Sequence, residues 1–291
     1  MIYKTFSLFL LQFLFLYAFS SASNNSRKPS PLEFFKKFQG SQKGDKVKGI
    51  HELKKHLQKL GYINHSNNGD YFDENLESAI KAYQINFNLN ATGTLDLKTV
   101  STMAKPRCGV PDIINGTTRM RISSDVFHTH YAFYPGNAKW PRVESLTYSF
   151  APGTREDAKK PFLNALLTWS FLTPFAFVYL EDFAAANIKI SFERGDHGDG
   201  TPFEGVGGAF AHAKLPTEGV LHFDADEPWV VGAVPEGVDI ETVALHELGH
   251  IFGLQHSSVE QAAMYPFVAL ESTKRVLDQD DILGIKTLYA S

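Results

Sequence analysis

Three histidines and a glutamate share one short stretch, ETVALHELGHIFGLQHSS. On a helix, His246 and His250 leave the same face one turn apart, so both imidazoles can bind one metal ion. Glu247 can reach a water molecule at an open metal position. Gly253 can end the helix in a left-handed conformation, which would return His256 as a third ligand. Three imidazoles with one open position predict a catalytic zinc site, whereas histidines that only hydrogen-bond are the alternative.

The chain contains a single cysteine, Cys108, in the stretch KPRCGVPD. With no second cysteine, an intramolecular disulfide is excluded. A thiolate is a soft zinc ligand, so Cys108 can take the fourth position of the catalytic zinc and displace the water that Glu247 would activate. We therefore predict that the lone thiol is an inhibitor, and a buried cysteine without function is the alternative.

A second group of possible metal ligands lies upstream, in GDHGDGTPFEGVGGAFAHAKLPTEGVLHFDADEPW. His197, Asp199, His212 and His222 would fill four positions and leave none open, which is typical of a structural zinc. Scattered surface histidines are the alternative interpretation. Hard carboxylate and carbonyl oxygens in the same stretch are the ligands that calcium prefers.

The N-terminus has the pattern of an export signal. Lys4 precedes an apolar stretch over 8–19, and the small residues Ser20 and Ala22 follow, so a signal peptide over 1–22 is predicted. A short membrane anchor is the alternative, although the apolar run is shorter than a membrane span needs. Four sequons agree with a secretory route, at Asn24, Asn64, Asn90 and Asn115. We expect a secreted protein of the extracellular space or cell wall, without a lipid anchor.

Composition limits the partners. Of the 291 residues, 43% are hydrophobic, which is enough for one or two cores without disulfides. The formal net charge of -4 argues against nucleic acid, and no basic cluster suggests a membrane patch. Proteins or small ions are the expected partners of a monomer.

Helical periodicity marks a small domain over 46–104, after an N-terminal linker over 23–45. One predicted helix repeats apolar residues from Ile50 to Leu60, a second from Leu76 to Phe87, and a third, shorter helix begins after Asp96. Pro and Gly are frequent over 105–139, which predicts a switch segment and activation linker.

Strand and helix patterns alternate over 140–291 and predict an α+β core with a mixed sheet. SLTYSF and NIKISF alternate apolar and polar residues, and FAFVYL is a continuous apolar run. The intervening helix contains Pro161, so it begins either at Thr154, with a kink, or near Lys160. A later helix over about 239–254 carries His246 and His250.

These motifs resemble those of the matrixins, or matrix metalloproteinases, within the metzincin zinc endopeptidases. HExxHxxGxxH carries the resemblance, together with Met264 in AAMYP at the place of the family's methionine turn and KPRCGVPD at the place of its cysteine switch. The chain is most similar to short plant members without a hemopexin-like domain. The resemblance implies a catalytic domain with a twisted mixed five-stranded sheet and three helices, preceded by a three-helix peptidoglycan-binding-like prodomain.

The resemblance also implies roles for individual residues. It assigns the structural zinc to the four ligands named above, and an ion pair between Arg107 and Asp112 to the switch. The specificity pocket would have Tyr265 and Pro266 in its wall. A calcium ion would be held by side chains of Glu204, Asp224 and Glu227 and backbone oxygens of Gly205, Gly207 and Ala209. Glu204 stands where the family usually has aspartate.

The resemblance implies a latent zymogen of a zinc-dependent endopeptidase. An activating protease would cut the linker just before the strand that follows Trp140, and the enzyme would then hydrolyse extracellular or cell-wall proteins before an apolar residue. A catalytically silent wall-binding or adhesion protein on the same scaffold is the alternative. Intact Glu247 and histidine ligands argue against it.

Overall fold

The computed structural model describes residues 31–65, 68–118 and 130–290. The predicted signal peptide over 1–22 and the sequon at Asn24 lie outside this part of the chain. None of the helices in the described ranges combines the length and the apolar character needed to cross a membrane.

The N-terminal half is a small helical prodomain. Its helices are α1 (Pro31–Lys36), α2 (Ile50–Lys59), α3 (Glu74–Asn86) and α4 (Leu97–Met103). The side chains of Asp73 and Asp96 cap α3 and α4 by accepting hydrogen bonds from the third backbone N–H beyond them. Leu57, Leu76 and Ile80 are fully buried where α2 and α3 pack together. The three helices predicted over 46–104 all form, and α1 adds a fourth helix to the prodomain.

Helix α1 lies in the segment predicted as an N-terminal linker. Phe35 and Phe38 are buried in the same core as α2 and α3. The ordered prodomain therefore begins before residue 46. Six helical residues are too few to show a periodic pattern, so this helix could not be predicted from hydrophobic spacing.

A five-stranded sheet forms the centre of the C-terminal half. After a hairpin of β1 (Ile113–Ile114) and β2 (Thr117–Thr118), the chain forms β3 (Ser145–Phe150), β4 (Ala176–Tyr179), β5 (Ile188–Glu193), β6 (Ala211–Ala213) and β7 (Val220–Asp224). The sheet order is β4-β3-β5-β7-β6, with only the pair β6 and β7 antiparallel within it. The predicted mixed five-stranded sheet is confirmed. The short strands β8 (Trp229–Val230) and β9 (Val238–Asp239) pair outside it.

Three helices complete this half: α5 (Glu156–Ser170), α6 (Ile240–Ile251) and α7 (Gln279–Tyr289). Helix α5 begins at Glu156 and continues through Pro161, which settles the boundary that the sequence left open. The indole of Trp169 donates a hydrogen bond of 2.9 Å to the carbonyl of Leu245, so α5 is fixed against α6. The core therefore holds α6 rigidly.

The predicted switch segment and activation linker over 105–139 has three described parts, which lie in different places. Residues 105–112 lie in a cleft of the C-terminal half, and 113–118 form the hairpin. Residues 130–139 pack on the C-terminal half instead: the N–H of Gln255 donates to the carbonyl of Ala132, and Tyr134 is buried.

Candidate metal centres and cleft

Helix α6 is fixed by a side-chain cap at its N-terminal end and by a glycine turn at its C-terminal end. Asp239 caps it by accepting hydrogen bonds from the backbone N–H and the hydroxyl of Thr242, at 3.0 and 2.8 Å. At the other end Gly253 has a φ of 105°, a left-handed conformation that glycine adopts without strain. The chain turns back there, as predicted, and brings His256 to the helix.

Four side chains converge at this turn. One potential ligand atom from each of Cys108, His246, His250 and His256 lies within 4.8 Å of those from the other three. The Nε2 atom of His250 is 3.1 Å from the Nε2 atom of His246 and 3.6 Å from the Sγ atom of Cys108. This separation is compatible with four ligands around one small cation.

The second nitrogen of each ring is already engaged. The Nδ1 atoms of the three histidines contact the carbonyl of Ala263 at 2.7 Å, the carbonyl of Leu254 at 2.8 Å and Oδ1 of Asp112 at 3.0 Å, for His246, His250 and His256 respectively. Such contacts hold ligand rings in one orientation and one tautomer. Within the described part of the chain, the buried Nε2 atom of His256 has no hydrogen-bond partner. A metal ion fits this group of residues.

Burial sets the protonation of the cluster. It lowers the pKa of His246, His250 and His256, which favours the neutral imidazole that binds metal. Burial also raises the pKa of the Cys108 thiol, and the neighbouring Glu247 raises it further. A bound cation would therefore be needed to stabilise the thiolate.

Glu247 is completely buried beside the thiol. Among the described residues, neither of its carboxylate oxygens meets a hydrogen-bond partner. Burial raises its pKa to about 8. An unpartnered carboxyl of high proton affinity next to a potential metal site suits transfer of a proton to and from a bound molecule.

Met264 lies beneath the cluster, as predicted. A Cβ atom at Gly249 would collide with the Sδ atom of Met264, so the glycine permits the close approach. Asp281 of α7 holds this turn by accepting hydrogen bonds from the backbone N–H groups of Ala263 and Met264, at 2.7 and 3.0 Å. The sequence analysis missed Asp281, although the acidic pair in DQDDILG is a local signal for a helix N-terminus.

The switch segment fills the cleft as an extended strand. On one side it pairs with the edge of the sheet, with Arg107 accepting from Phe210 at 3.0 Å and Gly109 donating to Ala211 at 2.8 Å. On the other side the N–H of Cys108 donates to Pro266 at 2.9 Å. The segment therefore uses the backbone groups that an extended peptide would need.

Arg107 and Asp112 form the predicted ion pair. Both are buried, and the guanidinium donates to the two carboxylate oxygens at 2.9 and 2.6 Å. Although burial opposes ionisation of Asp112, Arg107 and His256 together hold the pKa of its carboxyl below the usual range. The Nε atom of Arg107 also donates to the carbonyl of Cys108 at 3.0 Å, which fixes the loop around the thiol.

A cavity of about 410 Å³ opens beside His246. Tyr265, Phe267 and Val268 are part of its wall, whereas Pro266 is not among the lining residues and instead binds the switch segment through its carbonyl. Lys105 and Pro106 of the switch segment lie over the cavity.

The second predicted cluster also forms. His197, Asp199, His212 and His222 each place one potential ligand atom within 4.8 Å of the others. His212 and His222 face each other across β6 and β7, and Oδ2 of Asp199 is 2.8 and 3.2 Å from their ring nitrogens. Burial lowers the pKa of His212 to about 4, which keeps its ring neutral. All four ligand positions come from the C-terminal half.

The predicted calcium ligands come only partly together. Oε1 of Glu227 accepts from the N–H of Gly207 at 2.6 Å, and buried Oδ2 of Asp224 has no partner within the described ranges. Burial raises the pKa of Asp224 to about 6 and that of Glu227 to about 7. Glu204 pairs instead with Lys59 of the prodomain. The two buried carboxyls fit a cation, and the role of Glu204 as a calcium ligand stays a prediction.

The histidine helix, the convergent thiol and the mixed sheet define the class of protein: a zinc metalloendopeptidase with a prodomain. The family model "Matrixin" matches residues 139–290, and the model "Putative peptidoglycan binding domain" matches residues 46–103. The chain belongs to the matrixin family.

Curated relatives agree. Metalloendoproteinase 2-MMP of Arabidopsis thaliana is 42% identical over 282 residues, covering 88% of this chain and 75% of the relative. Metalloendoproteinase 1-MMP of the same plant is 44% identical, with 85% and 71% covered. Metalloendoproteinase 1 of Glycine max is 42% identical, with 87% and 86% covered. The resemblance to short plant members is confirmed.

Proposed function

We propose that this chain is the secreted, latent zymogen of a zinc endopeptidase in which Glu247 is the general base and Cys108 blocks the metal. The observation that carries the proposal is the position of the Cys108 thiol inside the cluster of three histidines, beside the unpartnered carboxyl of Glu247. His246, His250 and His256 hold the catalytic zinc, and the thiolate is its fourth ligand until the prodomain leaves.

A zinc ion held by these imidazoles would supply Lewis-acid chemistry, lowering the pKa of a water molecule to about 7 and polarising a peptide carbonyl. Glu247 takes the proton of the attacking water and returns it to the leaving amine. The contacts of the Nδ1 atoms of His246 and His250 with backbone carbonyls of the C-terminal half keep these two rings aimed at the site throughout.

A protein substrate takes the path that the switch segment vacates. The N–H of Phe210 and the carbonyls of Ala211 and Pro266 become available when residues 106–109 leave. An extended peptide can pair with these groups as an added strand, and backbone pairing of this kind accepts many sequences. Selectivity then depends on the side chain after the scissile bond, which enters the cavity beside His246.

That cavity favours an apolar side chain, because Tyr265, Phe267 and Val268 form much of its wall. Lys274 is also in the lining, and its ammonium donates to the carbonyls of Glu260 and Ala262 at 2.7 and 2.8 Å. The positive charge is thus turned toward backbone oxygens.

His197, Asp199, His212 and His222 hold a second zinc that is structural, since they leave no open position. Asp224 and Glu227 bind calcium beside the glycine loop, with Glu204 and backbone oxygens of Gly205, Gly207 and Ala209 as further ligands.

Activation requires a cut before His130. The backbone N–H groups of His130 and Tyr131 donate to Oδ1 of Asp280 at 2.8 and 3.1 Å, and residues 130–139 pack on the C-terminal half. This differs from the cut near Trp140 expected from sequence, because a cut there would detach a packed segment.

Secretion is supported by the sequons at Asn64, Asn90 and Asn115, which are exposed.

The proposal is tested by Glu247→Ala in the activated enzyme. Ligation and proton transfer belong to different residues, so zinc content and thermal stability should be retained while peptide hydrolysis falls by about 10³-fold. Glu218→Gln, an exposed carboxyl outside the cleft, is the matched control and should be fully active. A normally metallated Glu247→Ala enzyme with near-normal turnover would contradict the mechanism. A wild-type protein that stays inactive after prodomain removal would favour the silent scaffold.

A further inference from the structure

Asp112 is at the centre of a buried contact between the two halves of the molecule. Its side chain has no exposed surface, and neither has that of His256. Oδ1 of Asp112 is 3.0 Å from Nδ1 of His256, and Oδ2 accepts a hydrogen bond of 3.0 Å from the hydroxyl of Tyr62. Arg107 donates to both oxygens. The carboxylate therefore contacts a metal-ligand candidate as well as its ion-pair partner.

The three histidines differ in what orients them. His246 and His250 contact carbonyls of Ala263 and Leu254, which belong to the C-terminal half and remain after activation. Of the three Nδ1 atoms, that of His256 is the one that contacts a residue of the switch segment. Cleavage before His130 removes that residue together with the prodomain.

We propose that Asp112 is a positioning residue for His256, so that the prodomain supplies the zinc centre with an orienting hydrogen bond as well as with a thiolate. The inference depends on the proposed function, because it takes His256 as a zinc ligand. Asp112 fixes the tautomer with hydrogen on Nδ1, which leaves Nε2 directed at the metal. It follows that the zymogen holds its catalytic zinc more tightly than the mature enzyme does, even without the thiolate.

A chain of hydrogen bonds fixes Asp112 from the prodomain side. The hydroxyl of Thr118 donates to Oδ1 of Asn86 at 3.0 Å, and Nδ2 of Asn86 donates to the hydroxyl of Tyr62 at 2.9 Å. Tyr62 then donates to Asp112. Asn86 is the last residue of α3, so the prodomain core sets the position of the carboxylate.

The test uses full-length zymogen carrying Cys108→Ser and Glu247→Ala, which removes the thiolate and prevents self-processing. Asp112→Leu and Asp112→Asn are added to this parent, and transfer of zinc to a chromophoric chelator is followed. Loss of an outer contact to a metal ligand typically costs 10- to 100-fold in affinity. We expect transfer about tenfold faster for Asp112→Leu, and an intermediate rate for Asp112→Asn, which keeps an acceptor oxygen. The same transfer measurement on His256→Ala, which lacks a ligand of the catalytic zinc, shows which of the two zinc ions is being followed.

Two further measurements separate positioning from a structural role. In ¹⁵N-histidine spectra the hydrogen bond of the Nδ1 proton of His256 should be present in the parent, lost in Asp112→Leu and retained in Arg107→Gln, which removes the contacts of Arg107 with Asp112 and the Cys108 carbonyl but keeps the Asp112 carboxylate. After cleavage, mature enzymes from all Asp112 variants have the same sequence, so their zinc transfer rates should converge on one faster value.

Equal transfer rates for the parent, Asp112→Leu and the mature enzyme would overturn the inference while leaving the proposed function intact. If Asp112→Leu does not fold, the zinc transfer rates of the parent and of the mature enzyme still test the inference. A parent that binds zinc only at the second cluster would overturn the proposed function, and the inference with it.

Discussion

The two histidine clusters differ in where their ligands come from. The cluster of His197, Asp199, His212 and His222 takes every ligand from the C-terminal half, and two of them face each other on paired strands. The cluster around His246 takes its fourth group, Cys108, from the other side of the activation cut. The first is complete in itself, whereas the second can lose a ligand without losing its fold.

Because of this difference, we expect the closed cluster to contribute to stability and the cluster with the exchangeable ligand to contribute to regulation. A closed site fixes a loop to the sheet and offers no position for a substrate. An open site supported by a rigid helix can exchange its fourth ligand, because the two histidines on the helix stay oriented by contacts within the C-terminal half. On the proposed assignment, the prodomain controls chemistry at the cluster around His246 through Cys108, whereas it supplies no ligand to the other cluster.

The largest expected effects come from one alanine substitution in each histidine cluster, and the two should act on different properties of the enzyme. His256→Ala should abolish peptide hydrolysis, with a loss of at least about 10³-fold, because an open site cannot retain its geometry with two ligands. His212→Ala should act first on stability, since a closed zinc contributes to folding. A loss of about 4 kcal/mol corresponds to a fall in Tm of about 10 °C for a domain of this size.

Metal analysis and thermal unfolding of both variants check this prediction, and each should lack one zinc. His65→Ala, an exposed histidine of the prodomain, is the control and should change neither measurement. His212→Ala protein that has lost zinc but unfolds at the wild-type temperature would show that the second cluster is not structural.

A smaller effect concerns pH and calcium. Asp224 and Glu227 have raised pKa values, about 6 and about 7, because both are buried. Their contribution to folding stability is present below the unfolded-state pKa and is lost as pH rises through 6 to 7. Calcium needs the ionised carboxyls, so its stabilising effect should grow over the same pH window.

We expect the gain in Tm on adding calcium to be at least about 3 °C larger at pH 8 than at pH 5, because carboxyls with pKa values of about 6 and about 7 change the calcium affinity by more than tenfold over this range, and a factor of ten alone is worth about 1.4 kcal/mol. Glu227→Gln should remove most of the dependence, and Glu218→Gln should keep it. A calcium effect that is the same at both pH values would exclude these two carboxyls as ligands.

Sequence reasoning succeeded where the chemistry is local. The spacing of His246, Glu247 and His250 is set by one helix, and the turn at Gly253 needs only its own conformation. The contact of Asp112 with His256 spans 144 positions and joins two domains, so no periodicity could reveal it. The role of Asp281 could not be predicted because it holds a turn that is distant in sequence. Helix α1 could not be predicted because it is too short to show a period.

The central claim is that the single thiol in the histidine cluster keeps the enzyme latent, and Cys108→Ser tests it most directly. A hydroxyl is a much weaker zinc ligand than a thiolate, so water should reach the site while the prodomain is still attached. The measurement is the initial rate of peptide hydrolysis by full-length protein, with chain length checked on a gel at the same moment. The account predicts activity from the uncleaved Cys108→Ser chain and none from uncleaved wild type. An uncleaved variant as inactive as wild type would show that the prodomain blocks the cleft by its bulk alone.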